Sequence, residues 1–249
     1  MLEPTAPIVK VDWEDVPWKR IRPMHPEATM RTVIDQLPLL AWNDMALEGT
    51  DLTPNDVAML VDGAHPVSPN ADALDVDKAS GLIQGYRALT RLLQAGCFDL
   101  EKDTVNQLAN HVAKAEVIDP GRFRCDSSVG GGGHVRLSTG KVVSGIDRTI
   151  MDEAYRHLIH ETLPALDPRQ AALYYYATTV RWQLWFDGNK RTARLGMLGY
   201  LLTEGYEPLS VPARKRREFH KALDTVFTTG DGTPLCALIA SSPVPRARD

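Results

Sequence analysis

Apolar residues recur at mostly three- and four-residue spacings along nearly the whole chain, with one interruption of different character between 121 and 147. From Thr29 to Gly49 the stripe Val33, Leu37, Leu40, Ala41, Met45, Leu47 predicts a helix that Gly49 ends. Thr53-Pro54-Asn55-Asp56 reads as a helix start, with a hydroxyl cap, a proline at the first helical position and an acid in the first turn. A polar loop over His65 to Asp75 precedes helices predicted at Asp77 to Ala95 and Glu101 to Ala115. Helical patterning resumes at Thr149, broken at Pro164, Pro168, Gly188, Gly205 to Pro212 and Gly230 to Pro234.

The interruption holds strand-like pieces at Arg122-Phe123-Arg124-Cys125 and Val142-Val143 around Gly130-Gly131-Gly132-Gly133, a pattern for a β-hairpin or flexible flap. Residues 1–28 are rich in Pro and Trp without a period and read as an extended arm. Residues 241–249 read as a disordered tail. The expected fold is mainly α, one domain over 29–240 with a single hairpin.

Chemistry gathers where two core helices meet. Ala171 to Leu184 carries a buried stripe of Leu173, Tyr176, Ala177, Val180 and Leu184, and only one of Tyr174, Tyr175 and Tyr176 is expected to face inward. The next helix starts near Asn189 and carries Ala193, Leu195, Leu198, Leu201 and Leu202. Between them, Asp187-Gly188-Asn189 forms a turn at a helix N-terminus, where backbone N–H groups and the helix dipole favour anions. Arg191 and Arg194 share a helix face, so two guanidinium groups are placed to grip phosphates with Lys190 as a point charge. The plainer alternative is a helix corner whose cations pair with acids elsewhere in the chain.

The bulk properties exclude some classes. A formal net charge of −4 over 249 residues argues against a nucleic-acid binder, and ordinary contents of 43% hydrophobic and 24% charged residues read as globular. No apolar run approaches a bilayer span, and Met1-Leu2-Glu3-Pro4 lacks the order of a signal peptide. Cys97, Cys125 and Cys236 read as free thiols of a cytoplasmic protein, although Arg122 and Arg124 beside Cys125 are of the kind that activates a thiol. His134, following the four glycines, is the imidazole placed on the flap and a candidate relocated base. His157 and His160 read as ordinary helix residues, and Arg214 to Arg217 as a solvated basic face.

The run Gln183-Leu184-Trp185-Phe186-Asp187-Gly188-Asn189-Lys190-Arg191, with Arg194 three residues on, resembles the Fic/Doc (Fido) signature His-x-Phe-x-Asp/Glu-Gly-Asn-Gly/Lys-Arg. Ala46 to Thr53 resembles the glutamate-bearing inhibitory helix that precedes many such cores. The run from Gly121 to Gly145 resembles their target-docking flap, and Gly205 to Leu209 and Gly230 to Leu235 match the borders of later helices. The resemblance covers about residues 30–240. It implies a Fic-fold helical domain with a hairpin flap and an inhibitory-type helix within 29–60. It also implies transfer of AMP from ATP, with Mg²⁺, to a protein hydroxyl. In that frame Asp187 holds the metal, and Gly188, Asn189, Lys190 and Arg191 form the anion hole. Arg194 contacts the γ-phosphate or, in an inhibited state, pairs with Glu48. A target protein docking on 121–147 and self-association are further expectations.

Three departures change what the resemblance implies. Gln183 stands where the signature has its general-base His, and an amide has no accessible pKa. Lys190 is as in the Doc branch, where the γ-phosphate is transferred instead. Asp44 occupies the usual Ser/Thr position four before Glu48. The expected function is a transferase variant that binds ATP, another nucleotide or other phosphorylated ligand by non-standard chemistry. The alternatives are a catalytically silent nucleotide-binding regulator or an enzyme for a small phosphorylated metabolite.

Overall fold

The computed structural model describes residues 6–66, 68 and 71–245. The chain forms helices α1 (Pro26–Asp35), α2 (Leu37–Glu48), α3 (Pro54–Val61), α4 (Ala73–Gln94) and α5 (Lys102–Val112). A hairpin of β1 (His134–Arg136) and β2 (Val142–Ser144) follows. Then come α6 (Met151–His157), α7 (Pro168–Trp182), α8 (Asn189–Thr203), α9 (Arg216–Thr229) and α10 (Thr233–Ala240). The strands pair antiparallel with Val135 opposite Val143. The central layer is the antiparallel pair α7 and α8; α4 and α5 cover α8, and α9 and α10 cover α7.

Local chemistry sets most of the boundaries. The side chain of Thr53 accepts from the Asp56 N–H while Asp56 accepts from Thr53, a reciprocal cap that starts α3 as expected. Asp167 and Gln170 do the same for α7. Gly49 closes α2 at φ 96°, a left-handed conformation that favours glycine, and the Arg216 guanidinium lies over it, 2.5 Å from where a Cβ would stand.

Several expectations are corrected. The predicted helix from Thr29 to Gly49 is two helices, because Pro38 in the first turn of α2 has no N–H to continue the ladder from α1. The arm over 1–28 is interrupted by a short helical turn at Trp18–Arg20 and by α1, which Pro26 opens. Helix α4 starts four residues before the expected Asp77 because Asp72 caps the N–H groups of Leu74 and Asp75. Arg122 to Cys125 form no strand: Phe123 packs edge-on against Tyr155 and Trp185, which pins the segment as a turn. The expected tail is ordered as far as 245, since Val244 donates to the Pro208 carbonyl and is 5% exposed; residues 246–249 lie outside the described residues. Both Tyr175 and Tyr176 are fully buried, because neighbours cover α7 on several sides. Among the described residues no helix is long and apolar enough to cross a membrane.

Candidate functional site

Helix α7 stops at Trp182, and Gln183 adopts a left-handed conformation, φ 55° and ψ 63°. It is the only non-glycine with positive φ among the described residues, and the helix predicted to Leu184 ends two residues earlier, at Trp182, with Gln183 as its cap. The reversal is braced from two sides. Arg124 donates from Nε to the Gln183 carbonyl at 2.7 Å and from Nη2 to the Ile146 carbonyl at 2.9 Å. Downstream, Asn189 Oδ1 accepts from the Trp185 N–H at 2.9 Å, and Asn189 Nδ2 donates to the Trp185 carbonyl at 2.8 Å. The Asn189 amide is therefore occupied as a brace, leaving its backbone N–H for a ligand.

Gly188, at φ 72°, turns the chain into α8, whose first ladder bond runs from the Thr192 N–H to the Gly188 carbonyl. The N–H groups of Asn189, Lys190 and Arg191 thus stand at the positive end of a 15-residue helix. They face a cavity of about 430 Å³ between this turn, the hairpin and α9. Gln183, Asp187, Lys190, Arg191, His134 and Glu48 all line it. Of the residues expected to hold phosphates, Gly188 through Arg191 reach the cavity and Arg194 does not.

Each cation of the turn has a carboxylate partner. Lys190 Nζ lies 2.7 Å from Glu48, Arg191 Nη2 lies 2.6 Å from Glu116, and Arg194 Nη1 lies 2.9 Å from Asp44. The turn lines a cavity while its charges are internally paired, the pairing that the helix-corner alternative expects. The expected Glu48–Arg194 pairing is corrected: Glu48 grips Lys190, because Asp44 one helical turn earlier already holds Arg194. Burial works against ionisation of Glu48, yet Lys190 and Arg191 outweigh it and hold its pKa below the usual value. For Asp44 burial dominates and raises the pKa, with Arg194 opposing. Burial also raises that of Glu116 against the pull of Arg191.

Arg191 is not fully satisfied. Its Nε and Nη1 are buried and have no hydrogen-bond partner, although Nη2 is bonded to Glu116. Asp187 keeps an exposed carboxylate at the cavity edge, 58% accessible, 3.7 Å from Arg191.

The flap is held down as well as placed. The tip residue Ser138 bonds to Asp224 of α9, and the Ile146 N–H donates to the Trp182 carbonyl at 2.9 Å. A Cβ at Gly133 would sit 2.4 Å from Arg124 Cζ, so the close approach of this glycine run to the guanidinium excludes any larger residue. His134 is exposed on β1, and its Nδ1 is 3.1 Å from Ser144 Oγ.

Four participants carry no sequence-local signal: Arg124 as a brace, Glu116 and Asp44 as counter-ions, and His220 on α9, which lines the cavity with Nε2 2.9 Å from the Leu47 carbonyl. Cys125 is corrected away from activation, since burial, Asp126 and Asp152 push its thiol up to about 11. Arg124 points instead at carbonyls, and Arg122 pairs with Asp119. His157 and His160 pair with Glu161 and Glu101.

No protein-family profile matches the chain. The chain is 27% identical over 205 residues to the protein adenylyltransferase Fic of Drosophila persimilis, covering 80% of this chain and 38% of that protein. It is 22% identical over 221 residues to the protein adenylyltransferase fic-1 of Caenorhabditis briggsae, covering 87% of this chain and 41% of that one. It therefore spans about two fifths of these curated relatives. Among solved structures it is similar to Fic-1 from C. elegans, with TM-score 0.69, 22% identity, and coverage of 90% and 65%. It is also similar to a Fic domain containing signaling protein from Bacteroides thetaiotaomicron, with TM-score 0.67, 21% identity, and coverage of 93% and 85%. The mainly helical architecture with its two-stranded sheet is the Fic fold, and the sequence similarities support a relationship to Fic-domain proteins.

Proposed function

We propose that the chain binds a nucleotide or another phosphorylated ligand at the 187–191 turn beneath the hairpin, as a Fic-like transferase variant that works without a histidine at position 183. The observation that carries this reading is the pair of buried, unpartnered guanidinium nitrogens on Arg191 in the wall of the cavity. Leaving such donors unsatisfied costs about 1–3 kcal/mol each. A phosphate oxygen that reached them through a shift of the Arg191 side chain would remove that cost and would also meet the positive end of α8. Asp187 is the residue that would hold Mg²⁺, because an exposed carboxylate beside bound phosphate offers the hard oxygen ligands this ion takes. When bound, the ion neutralises charge on the transferred group.

Proton removal by position 183 has no support. Gln183 turns its Nε2 back to donate to the Val180 carbonyl at 2.7 Å, and its amide does not titrate. Two imidazoles, His134 and His220, lie in the cavity wall and are candidate acceptors for a hydroxyl proton. The bond from Gln183 to Val180 equally favours a second reading, a silent homologue that senses a nucleotide for a partner. The paired cations, the free thiols and the Fic-like relatives are compatible with either, in the cytoplasm or another reducing compartment.

The test is binding before chemistry. Thermal shift and titration calorimetry with inorganic phosphate, AMP, ADP and ATP, each with Mg²⁺, are expected to show saturable stabilisation. Ligand at 100 times its Kd contributes about 2.7 kcal/mol. Arg191→Gln is expected to weaken binding by about tenfold or more, in line with loss of a charge-assisted hydrogen bond. A native chain indifferent to all of these probes would end the reading.

A further inference from the structure

Four consecutive cations, Arg214-Lys215-Arg216-Arg217, stand in a chain whose 32 acids outnumber its 28 Lys and Arg residues. Lys190, Arg191 and Arg194 each grip a carboxylate, whereas among the described residues none of these four is in an ion pair. They also sit where the short turn Ala213–Lys215 runs into α9, at the positive end of that helix.

Arg214 and Lys215 form one wall of a second cavity, of about 440 Å³. Its apolar lining comes from Leu39 and Trp42 of α2 and from Pro212, Pro243, Val244 and Pro245, and no Asp or Glu lines it. Its shape is fixed by buried bonds. Asn43 accepts from the Ala213 N–H at 2.9 Å and donates to Ser210 Oγ at 3.2 Å. The Ser210 N–H donates to the Ser242 carbonyl, and the Val244 N–H to the Pro208 carbonyl, both at 2.9 Å. The three prolines have no N–H to offer an added strand, so recognition here falls to side chains.

An apolar lining flanked by unpaired cations fits an apolar side chain flanked by carboxylates. Trp and Arg are also the residues that most often anchor such contacts. Extended polyanions fit less well. Screening over about 8 Å at physiological ionic strength confines the attraction to the patch. A nucleic acid or an anionic bilayer reaching past the patch meets the surface of a chain whose net charge is −4.

We infer that this cavity docks a linear acidic segment of a partner protein, with one bulky apolar residue against Trp42 and its flanking Asp or Glu on Arg214 and Lys215. The inference is independent of the phosphate-binding reading, since the two cavities share no lining residue.

The experiment is fluorescence anisotropy on the full chain with short labelled peptides of Asp and Glu around a single Leu. This probe is expected to bind about tenfold or more tighter than the same peptide with Ser for Leu, as burial of a Leu side chain supplies. The analogue with Lys for every acid should not bind. Arg214→Glu with Lys215→Glu should weaken the acidic probe about tenfold or more, and excess ADP should leave it bound. Should the double variant not fold, Arg214→Gln is expected to give a loss of about threefold. Equal affinity for the acidic and Lys peptides, or displacement by ADP, would overturn the inference. So would an unchanged affinity in the folded variants. Tighter binding of single-stranded DNA, or of vesicles of phosphatidylserine and phosphatidylcholine, would overturn the choice of a peptide.

Discussion

Arg124 and Gln183, 59 residues apart in sequence, are joined by a 2.7 Å hydrogen bond from a buried guanidinium to a backbone carbonyl. The same side chain reaches Ile146 at the base of the hairpin, so one residue ties the end of α7 to the flap. Every recorded bond of this guanidinium goes to a carbonyl oxygen, and burial together with nearby Arg148 works against its charge.

Replacing this tie should be costly. Arg124→Met leaves two or three carbonyls without donors and is expected to destabilise the chain by about 2–4 kcal/mol. Arg124→Lys recovers one bond but not the fork and should fall between. Urea unfolding of the three proteins checks the order, and equal stability of Met and native proteins would remove Arg124 as the brace.

The Glu48–Lys190 pair yields a prediction with a sign. Glu48 has its pKa lowered in the fold, so its contribution is present above the unfolded value and is lost as pH falls through the folded one. Glu48→Gln should therefore cost about 1 kcal/mol near neutral pH and nothing in acid below both pKa values. At neutral pH the same change frees Lys190, and affinity for ADP is expected to rise about tenfold. Thermal unfolding against pH, with calorimetry at one neutral pH, measures both; a cost that persists in acid contradicts the ion-pair origin.

What could be read from the sequence was local in origin. The cap at Thr53, the stop at Gly49 and the Gly188 turn each depend on residues within a few positions of one another. The break at Gln36 was hidden because the apolar spacing runs straight through Pro38, although a proline in the interior of a predicted helix is itself a warning. Counter-ions were not legible: Glu116 reaches Arg191 across 75 residues, and only the packing of α5 against α8 brings their neighbourhood together. The double burial of Tyr175 and Tyr176 escaped for a related reason, since a helix covered on several sides loses the one-sided stripe that periodicity detects.

The glycines of the flap separate into those that touch α7 and those that do not. A Cβ at Gly145 would stand 2.2 Å from the Trp182 carbonyl, whereas at Gly130 nothing lies within 4 Å. Gly145→Ala must push the hairpin off the end of α7 and is expected to cost about 1–3 kcal/mol. Gly130→Ala should stay within about 0.5 kcal/mol. Hydrogen exchange at Ile146, whose N–H donates to Trp182, should accelerate in the first and not in the second. Equal protection in both would mean that the flap is not seated on this glycine.

Gln183→His tests whether the site lacks only its base. The left-handed backbone at this position is one that histidine tolerates better than most residues, so the fold should survive the change. Gln183 already lines the cavity, so an imidazole there would meet the ligand space and titrate near pH 6.5. With ATP or ADP labelled at the α-phosphate, the variant is expected to transfer label about 10²–10⁴ times faster than the native chain. The gain should grow as pH rises through the imidazole pKa, because the neutral ring is the base. Combining it with Glu48→Gln should increase the gain, since both Lys190 and the entry of the phosphate are then freed. A native chain that already transfers label, with no gain in the variant, would place the proton acceptor elsewhere in the cavity, and His134→Ala and His220→Ala then identify it.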